Sequence, residues 1–335
     1  MRSGSGIVES RQCRDSTICR IYQMVICRMN SDFKLKGHLA MGCANIMWGL
    51  MSPVVKLVLG AGVLSPLVMV DFRVFGGALL FWATSLFLPR EHVPLPDILR
   101  LFGAGMLGVL LNQGCFILGV SLTSPGEASL ITTTMPMWVM ILAFLILHEP
   151  ITLKKGGGIL CGATGAIILV LGNGNVLGGG ENPALGDFIV LMAQLSYALY
   201  LTLYRNFIRK YSLVTLMKWM FLAASIVSIP ATLPTLRVMD WPAVDMASWL
   251  GIVFVVVAGT YLAYICIMIG QKNLRPTIVG MYNYIQPIVA TGVGIWLGLD
   301  TFTPAKALAV LLIFGGVFLV TTSRSASSER DTATK

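Results

Sequence analysis

The sequence predicts an all-α polytopic membrane protein with ten transmembrane helices, arranged as two inverted repeats of five helices each. Three observations predict this fold class: an apolar composition, a sequence repeat at a fixed offset, and an odd number of spans in each copy of the repeat. Hydrophobic residues make up 56% of the 335 residues and charged residues 12%, and the mean hydropathy is +0.80. A soluble chain of this length needs far more charge to cover its surface.

Ten apolar segments of about twenty residues follow residue 39, which is the length that a hydrocarbon core of about 30 Å requires. We predict spans at 40–59, 66–88, 98–118, 126–147, 156–172, 186–204, 213–235, 248–269, 277–298 and 305–322. The longest connection is glycine-rich and separates the spans into two groups of five. The predicted divisions are therefore a first five-helix repeat at 37–172, a linker at 173–185, a second repeat at 186–323 and a tail at 324–335.

The segment Ser124–Thr152 recurs in diverged form 151 residues later. Its two prolines, Pro125 and Pro136, correspond to Pro276 and Pro287. The same offset joins further pairs in the neighbouring spans: Leu99 and Leu250, Gly108 and Gly259, Cys115 and Cys266, Gly119 and Gly270, Gly165 and Gly316. Internal repetition of this kind determines the architecture, because each copy folds as one structural unit.

Five spans is an odd number, so the second copy enters the membrane in the opposite sense to the first. With a cytoplasmic N-terminus, 19 Lys and Arg residues lie on the cytoplasmic side, two on the other side and three within spans. This bias predicts that both termini are cytoplasmic. It also accounts for the net charge of +9, so no nucleic-acid partner is implied. Inverted repeats are typical of secondary transporters.

Residues 1–36 form a basic N-terminal arm with seven Lys and Arg residues. Its one apolar run, Ile21–Cys27, is too short to span a bilayer and lacks a cleavage site for a secretory signal. Three interpretations remain open: a cytoplasmic arm, an organellar transit peptide, or a native start of translation at Met29.

Pro136 and Pro287 each lie about ten residues into a span, near the bilayer midplane. A proline inside a helix frees the carbonyl four residues earlier, here that of Thr132 and that of Asn283. A freed carbonyl within a membrane needs a partner or a water-filled cavity. The pair therefore predicts two kinked helices that line a central cavity, with helix packing alone as the alternative.

Polar and aromatic residues near the same depth complete the predicted substrate-binding set. Span one carries Asn45, Trp48 and Ser52 on one face, although Trp48 is equally consistent with a packed aromatic between helices. Amides inside a membrane helix need partners across helices or contact with water. The predicted substrate-binding residues are Asn45, Trp48, Gln113, Thr132, Thr133, Pro136, Tyr197, Tyr264, Tyr282, Asn283, Gln286 and Pro287.

Charged residues within the spans are few. We predict that Arg73 is a gate or an anion contact, because ionisable groups at that depth are functional by default; contact with lipid headgroups is the alternative for Arg73, Lys56 and Lys218. Glu149 and Asp300 end their spans on opposite faces, so we do not expect them to share a site. The cysteines and histidines show no ligand spacing, so we expect no metal, no cofactor and no enzyme activity.

The layout resembles the EamA-type transporters of the drug/metabolite transporter superfamily over roughly residues 37–323. The resemblance rests on the two five-span domains, the opening Asn45-Ile-Met-Trp48-Gly49, Arg73 in span two, and the end of span four, Leu147-His-Glu149-Pro-Ile-Thr152. A fifth span patterned with Gly157, Gly162 and Gly165 follows. In the second copy Asp300-Thr-Phe-Thr303 replaces the Glu-containing turn. The resemblance implies a ten-helix exporter or facilitator of amino acids, related metabolites or drugs.

These features together predict a secondary transporter that exports small metabolites by rocking two halves about a midplane site. A flippase of a lipid-linked substrate is the alternative. The expected partners are a small-molecule substrate and the lipid bilayer. We expect a monomer or weak homo-oligomer in a bacterial cytoplasmic membrane. The substrate and the energy coupling stay open.

Overall fold

A computed structural model describes residues 17–148, 152–172, 182–208, 210–274, 282–301 and 303–322, and within these ranges the regular structure is helical with no strand. The α-helices are α1 Thr17–Gly60, α2 Pro66–Ser85, α3 Leu95–Gly105, α4 Asn112–Leu122, α5 Pro125–Thr132, α6 Met135–Leu147, α7 Leu153–Gly172, α8 Pro183–Leu203, α9 Arg205–Ile208, α10 Leu213–Val238, α11 Met246–Val253, α12 Ala263–Asn273, α13 Ile285–Trp296 and α14 Pro304–Thr322. Two π-helical segments, Met106–Leu111 and Phe254–Leu262, join α3 to α4 and α11 to α12, and a 3-10 turn covers Trp241–Ala243.

Seven of these helical stretches are long and apolar enough to cross a membrane: Leu35–Gly60, Pro66–Ser85, Leu95–Leu122, Pro125–Leu147, Pro183–Leu203, Leu213–Val238 and Met246–Gln271. The other three predicted spans correspond to shorter apolar stretches at Gly156–Ile168, Ile285–Trp296 and Pro304–Leu319. The chain is therefore an all-helical membrane protein. Its division into ten spans in two inverted repeats stays a prediction.

Several predicted features lie outside the described residues, namely residues 1–16 of the arm, Glu149, Pro276, most of the linker and the tail. The remainder of the arm from Thr17 onward is not a separate element, because α1 begins there and continues to Gly60.

Several helices begin at a capping side chain. Ser65 accepts a hydrogen bond from the Val68 amide at 3.3 Å, and Ser124 accepts one from the Glu127 amide at 3.3 Å. A proline follows each of these two serines at the first helical position, where its missing N–H costs no hydrogen bond. These capping side chains set the first residue of α2 and of α5.

The contacts between helices have a twofold pattern. Helix α7 packs on α14, α2 on α10, and α5 on α13; α4 packs on α8 as α12 packs on α1, and α6 packs on α8 as α13 packs on α1. Exchanging the first five predicted spans for the last five leaves this list unchanged. The sequence repeat is thus matched by a repeat in packing.

Glycines allow the closest of these approaches. A Cβ atom on Gly316 of α14 would lie 2.6 Å from the carbonyl oxygen of Gly158 and 2.9 Å from the Cα of Gly162, both in α7. A larger side chain would push the two helices apart. These glycines therefore mark a close contact between α7 and α14.

Candidate functional site

Spans four and nine are both broken at the positions where the sequence predicted kinks. Residues Thr133 and Thr134 form a turn between α5 and α6, and Asn283 and Tyr284 form the equivalent turn before α13. Pro136 is the second residue of α6. In the first turn of a helix a proline replaces an amide that has no partner within the helix. Each proline therefore lies just after a break, at the start of the resumed helix.

Threonine hydroxyls satisfy the backbone at the break in span four. The side chains of Thr132, Thr133 and Thr134 each donate to the carbonyl three residues earlier, at 2.7 Å in every case. Carbonyls near a helix break must be satisfied when no bulk water reaches them. The run of three threonines thus allows a non-helical turn deep inside the protein.

The two π-helical segments occupy equivalent places in spans three and eight, since Leu111 and Leu262 end them and are 151 residues apart. In the second segment, the indole Nε1 of Trp48 donates to the Gly259 carbonyl at 3.0 Å. The Thr260 hydroxyl donates to the Val255 carbonyl at 2.9 Å. Widened helical turns of this type frequently occur at functional sites, and here each segment is followed within two residues by one that lines a cavity, Asn112 or Tyr264.

Arg73 reaches the same segment from α2. Its side chain is 5% exposed, and its Nε donates to the Thr260 hydroxyl at 3.0 Å. No carboxylate in the described part of the chain forms an ion pair with it. Asp71, two residues earlier, instead accepts a hydrogen bond from Thr232 of α10. Arg73 is therefore a buried cation that has no acidic partner among the described residues.

A cavity of about 360 Å³ lies between these elements and draws its lining from both halves of the chain. Nine of its lining residues were predicted from the sequence: Trp48, Arg73, Thr132, Thr133, Pro136, Tyr197, Tyr264, Asn283 and Gln286. Eight others were not in the predicted set: Met51, Asn112, Phe116, Ser129, Met135, Gln194, Ile267 and Gln271. The structure thus gathers most of the predicted set around one space.

Four predicted residues do not line this cavity, which are Asn45, Gln113, Tyr282 and Pro287. Asn45 stands behind it and accepts a hydrogen bond from the Gln286 side chain at 2.8 Å. The hydroxyl of Tyr282 pairs with the His38 ring at 2.7 Å. Gln113 and Pro287 are buried in α4 and α13. Asn45 therefore orients a lining amide instead of facing the cavity.

A second buried polar group, which we call the ionic cluster, consists of Lys56, Glu127, Asp187, Asp300 and Lys306. The Lys306 ammonium lies 2.7 Å from a Glu127 oxygen and 2.5 Å from an Asp300 oxygen. The other Asp300 oxygen accepts from the Gly126 amide at 3.1 Å. Lys306 is 7% exposed and Glu127 is 3% exposed. This ion pair joins the start of α5 to the start of α14, and it was not predicted from the sequence.

The rest of the ionic cluster binds the same end of the molecule together. The Thr123 hydroxyl lies 2.6 Å from an Asp187 oxygen and 2.9 Å from a Glu127 oxygen, and its single proton is donated to one of them at a time. Lys56 donates to the carbonyls of Ser121 and Thr123 at 2.8 and 2.9 Å. In place of the lipid headgroups considered from the sequence, Lys56 contacts protein carbonyls.

The cavity and the ionic cluster lie one behind the other along the helices. Lys56 is eight residues after Trp48 on α1, about 12 Å at 1.5 Å per residue. At the opposite end the cavity reaches Gln271, which is exposed and lies two residues before α12 ends. The buried ionic cluster thus lies beyond one end of the cavity, and the exposed residue Gln271 lines its other end.

Comparison with known proteins agrees with the repeat. Residues 35–171 and residues 184–322 each match the EamA-like transporter family. The two matched ranges cover nearly all of the two predicted five-span units, so both halves of the chain match the same family.

The individual relatives have low sequence identity to this chain, but the similarity extends over most of its length. Protein PecM of Dickeya dadantii is 23% identical, over 72% of this chain and 86% of its own. The uncharacterized transporter YetK of Bacillus subtilis is 22% identical over 67% and 68%. The uncharacterized inner membrane transporter YedA of Escherichia coli is 25% identical over 82% and 87%.

One solved crystal structure superposes with a TM-score of 0.58 over 90% of this chain and 99% of its own, at 19% sequence identity. At this identity the likeness concerns the fold. An experimentally determined structure therefore shares the helical arrangement described above.

Proposed function

The chain belongs to the EamA-like transporter family, and from that premise we propose that the cavity is the substrate site of a secondary transporter. Membership of a transporter family, and relatives named as uncharacterized transporters, support movement of small molecules across the bilayer by this integral membrane protein. We propose more specifically that it exports small metabolites, such as amino acids or related compounds, by alternating access. The observation that carries this proposal is one cavity lined by both halves of the chain.

The proposed mechanism rests on how the two halves meet. The breaks in spans four and nine border the cavity at Thr133 and Asn283. Helix α5 packs on α13 next to these breaks. Rocking of one half against the other would move the resumed helices α6 and α13 as levers about a fixed midplane site, as in transporters built from inverted repeats.

The ionic cluster is the closure at one face in this proposal. Substrate would enter from the face near Gln271, and release at the other face would require Lys306 to part from Glu127 or Asp300. With both termini in the cytoplasm, the face near Gln271 is cytoplasmic, which is the side from which an exported substrate enters. A bacterial cytoplasmic membrane, and a monomer or weak homo-oligomer, complete the proposal.

Counterflow into liposomes that contain the purified protein tests the function. The screen should cover amino acids, organic acids, nucleosides and cationic dyes. We expect at least one class to exchange faster than in protein-free liposomes. Thr132→Trp should block this exchange because it fills the cavity, whereas Leu145→Trp should not, since Leu145 is 59% exposed on the outer surface of α6.

Two results would overturn the proposal. Equal exchange by Thr132→Trp and Leu145→Trp would show that substrate does not pass through this cavity. Movement of a lipid-linked substrate with no soluble solute would replace export by the flippase alternative. Unchanged kinetics in both Asn283→Ala and Gln286→Ala would more narrowly remove span nine from the site.

A further inference from the structure

We propose that the cavity selects a compact organic anion, whose anionic group binds Arg73 and whose apolar or aromatic body lies against Trp48 and Tyr264. The inference rests on the proposed function and adds the charge class of the substrate. Four observations carry it: the charge of the lining, the free donors of Arg73, the aromatic wall, and the lack of an acid that would hold an ammonium group.

The lining has a single charge. Among the seventeen residues that line the cavity in the described part of the chain, Arg73 is the one with a charged side chain, and none is Asp or Glu. A guanidinium stays protonated in proteins. Burying such a cation without a counter-ion is costly. A bound anion offsets that cost, so the charge of the lining favours a negatively charged ligand.

The guanidinium of Arg73 also has N–H donors that no described residue accepts from. Arg73 has five N–H donors, of which Nε–H is used on Thr260. No other hydrogen bond of this guanidinium is found within the described residues, so its terminal N–H groups remain for a ligand. A carboxylate, sulfonate or phosphate can accept two parallel N–H bonds from such a fork. The bond to Thr260 fixes the plane of the fork from behind.

Aromatic side chains supply the apolar surface beside Arg73. The rings of Trp48 and Tyr264 meet edge to face with centroids 5.9 Å apart. Trp48 is held in place by its hydrogen bond to the Gly259 carbonyl. Phe116 and Tyr197 add further ring surface to the lining. A volume of about 360 Å³ lies at the lower end of the range for small-molecule pockets, about 300–1,000 Å³. The space suits a molecule with one ring or a short branched chain.

The same lining disfavours an ammonium group. No carboxylate faces the cavity among the described residues, so an ammonium group would lose its hydration with amides, hydroxyls and aromatic rings in return, and the positive charge of Arg73 would repel it. A zwitterion would therefore bind more weakly than the matching acid without its amine. The cavity is thus expected to rank an anion above a zwitterion, and a zwitterion above a cation.

Four compounds that share a phenylpropyl skeleton and differ in their polar groups test the ranking: 3-phenylpropane-1-sulfonate, phenylalanine, 3-phenylpropanamide and 3-phenylpropylamine. The sulfonate stays ionised at every working pH, so it does not leak through the bilayer as a neutral acid. In liposomes that contain the full-length protein, we expect counterflow of the sulfonate to exceed that of the amine by about tenfold or more, from charge-assisted hydrogen bonds to one side chain.

Variants assign the preference to Arg73. Arg73→Gln should lower sulfonate counterflow about tenfold or more and leave the neutral amide within about twofold, while Arg73→Lys should restore part of the sulfonate rate. Thermal unfolding of each variant shows that it is folded. A structural role alone would lower all four rates together, and that result overturns the inference.

Failure of the inference and failure of the function are distinguishable. Equal or faster counterflow of the amine or the amide by the wild type overturns anion selection and leaves transport through the cavity intact. If the wild type moves none of the four compounds, anion selection is lost. The wider counterflow screen with Thr132→Trp then decides the transport function by itself.

Discussion

Lys306 and Arg73 are both buried cations, but their surroundings are opposite. Lys306 contacts carboxylates from two different elements, Glu127 on α5 and Asp300 after α13, and closes one end of the molecule. Among the described residues Arg73 has a single hydrogen bond, which it donates to a hydroxyl, and it lines a cavity. The ion pairs of Lys306 join two helices. The buried charge of Arg73, which has no counter-ion among the described residues, can instead bind a ligand of opposite charge in the cavity. The two cations should therefore differ in what their loss does.

The largest effect on stability is expected for Lys306→Met. The variant removes the ammonium group that Glu127 and Asp300 share, and breaking a buried pair from one side costs about 3–5 kcal/mol. The free energy of unfolding in detergent, measured by denaturant titration, checks this. Lys306→Arg is the matched control, because it keeps the charge. A Lys306→Met variant as stable as the wild type would contradict the role of the ionic cluster as a closure.

Arg73→Met should show the reverse pattern. It leaves no carboxylate unpaired, and Thr260 keeps its own bond to the Val255 carbonyl. The stability loss should therefore be about 1 kcal/mol or less, close to that of an ordinary hydrogen bond. Counterflow of the preferred anion should nevertheless fall to near background. A stability loss as large as that of Lys306→Met would erase the contrast between the two cations.

Trp48→Phe tests the wall of the cavity at a smaller scale. The change keeps an aromatic ring but removes the donor to the Gly259 carbonyl, at an expected cost of about 1 kcal/mol. Trp219→Phe is the control, because the buried Nε1 of Trp219 has no hydrogen-bond partner in the described part of the chain. Thermal unfolding should rank the Trp48 variant below the Trp219 variant. The opposite order would mean that packing, not this hydrogen bond, sets the cost.

The smallest effect is expected for an exposed cation. Lys210 pairs with Asp97 at 2.5 Å, but its side chain is 54% exposed. The hydrogen bond to Asp97 raises the pKa of Lys210 above its usual value. Since the folded pKa is the higher one, any contribution is present at neutral pH and is lost as the pH rises through that pKa. Lys210→Gln should leave the unfolding midpoint almost unchanged at pH 7, with the remaining difference vanishing in strong alkali.

The sequence allowed the breaks in spans four and nine to be predicted, because Pro136 and Pro287 stand in register within a repeat and proline has a fixed effect on a helix. The cavity followed from the polar residues beside them. The membrane fold followed from composition alone. The resemblance to a transporter family, which rested on the same repeat, is confirmed by the match of both halves.

Other features left no signal in the sequence. The π-helical segments run through apolar residues that would suit an α-helix, and a widened turn shifts which side of the helix each later residue faces. Asn112 directly follows the first segment and lines the cavity, while its neighbour Gln113 is buried in the packing. Which of two adjacent amides would face the cavity therefore could not be told from helical spacing.

The ion pair of Lys306 was also hidden, for a different reason. Glu127 and Lys306 are far apart in sequence, and each stands near the end of a span, where charge normally faces water. Only the packing of α5 on α13 brings Gly126 within hydrogen-bond distance of Asp300 and places Lys306 beside Glu127. Long-range pairing of this kind depends on tertiary packing, which the local pattern does not contain.

Equilibrium binding of 3-phenylpropane-1-sulfonate tests the central claim most directly, because it needs neither a bilayer nor a direction of transport. The dissociation constant should be measured by calorimetry in one detergent for the wild type and for Arg73→Gln, with Lys306→Arg as the control. We predict that Arg73→Gln binds about tenfold more weakly or worse, and that the control binds like the wild type. Equal dissociation constants for the wild type and Arg73→Gln would contradict the account.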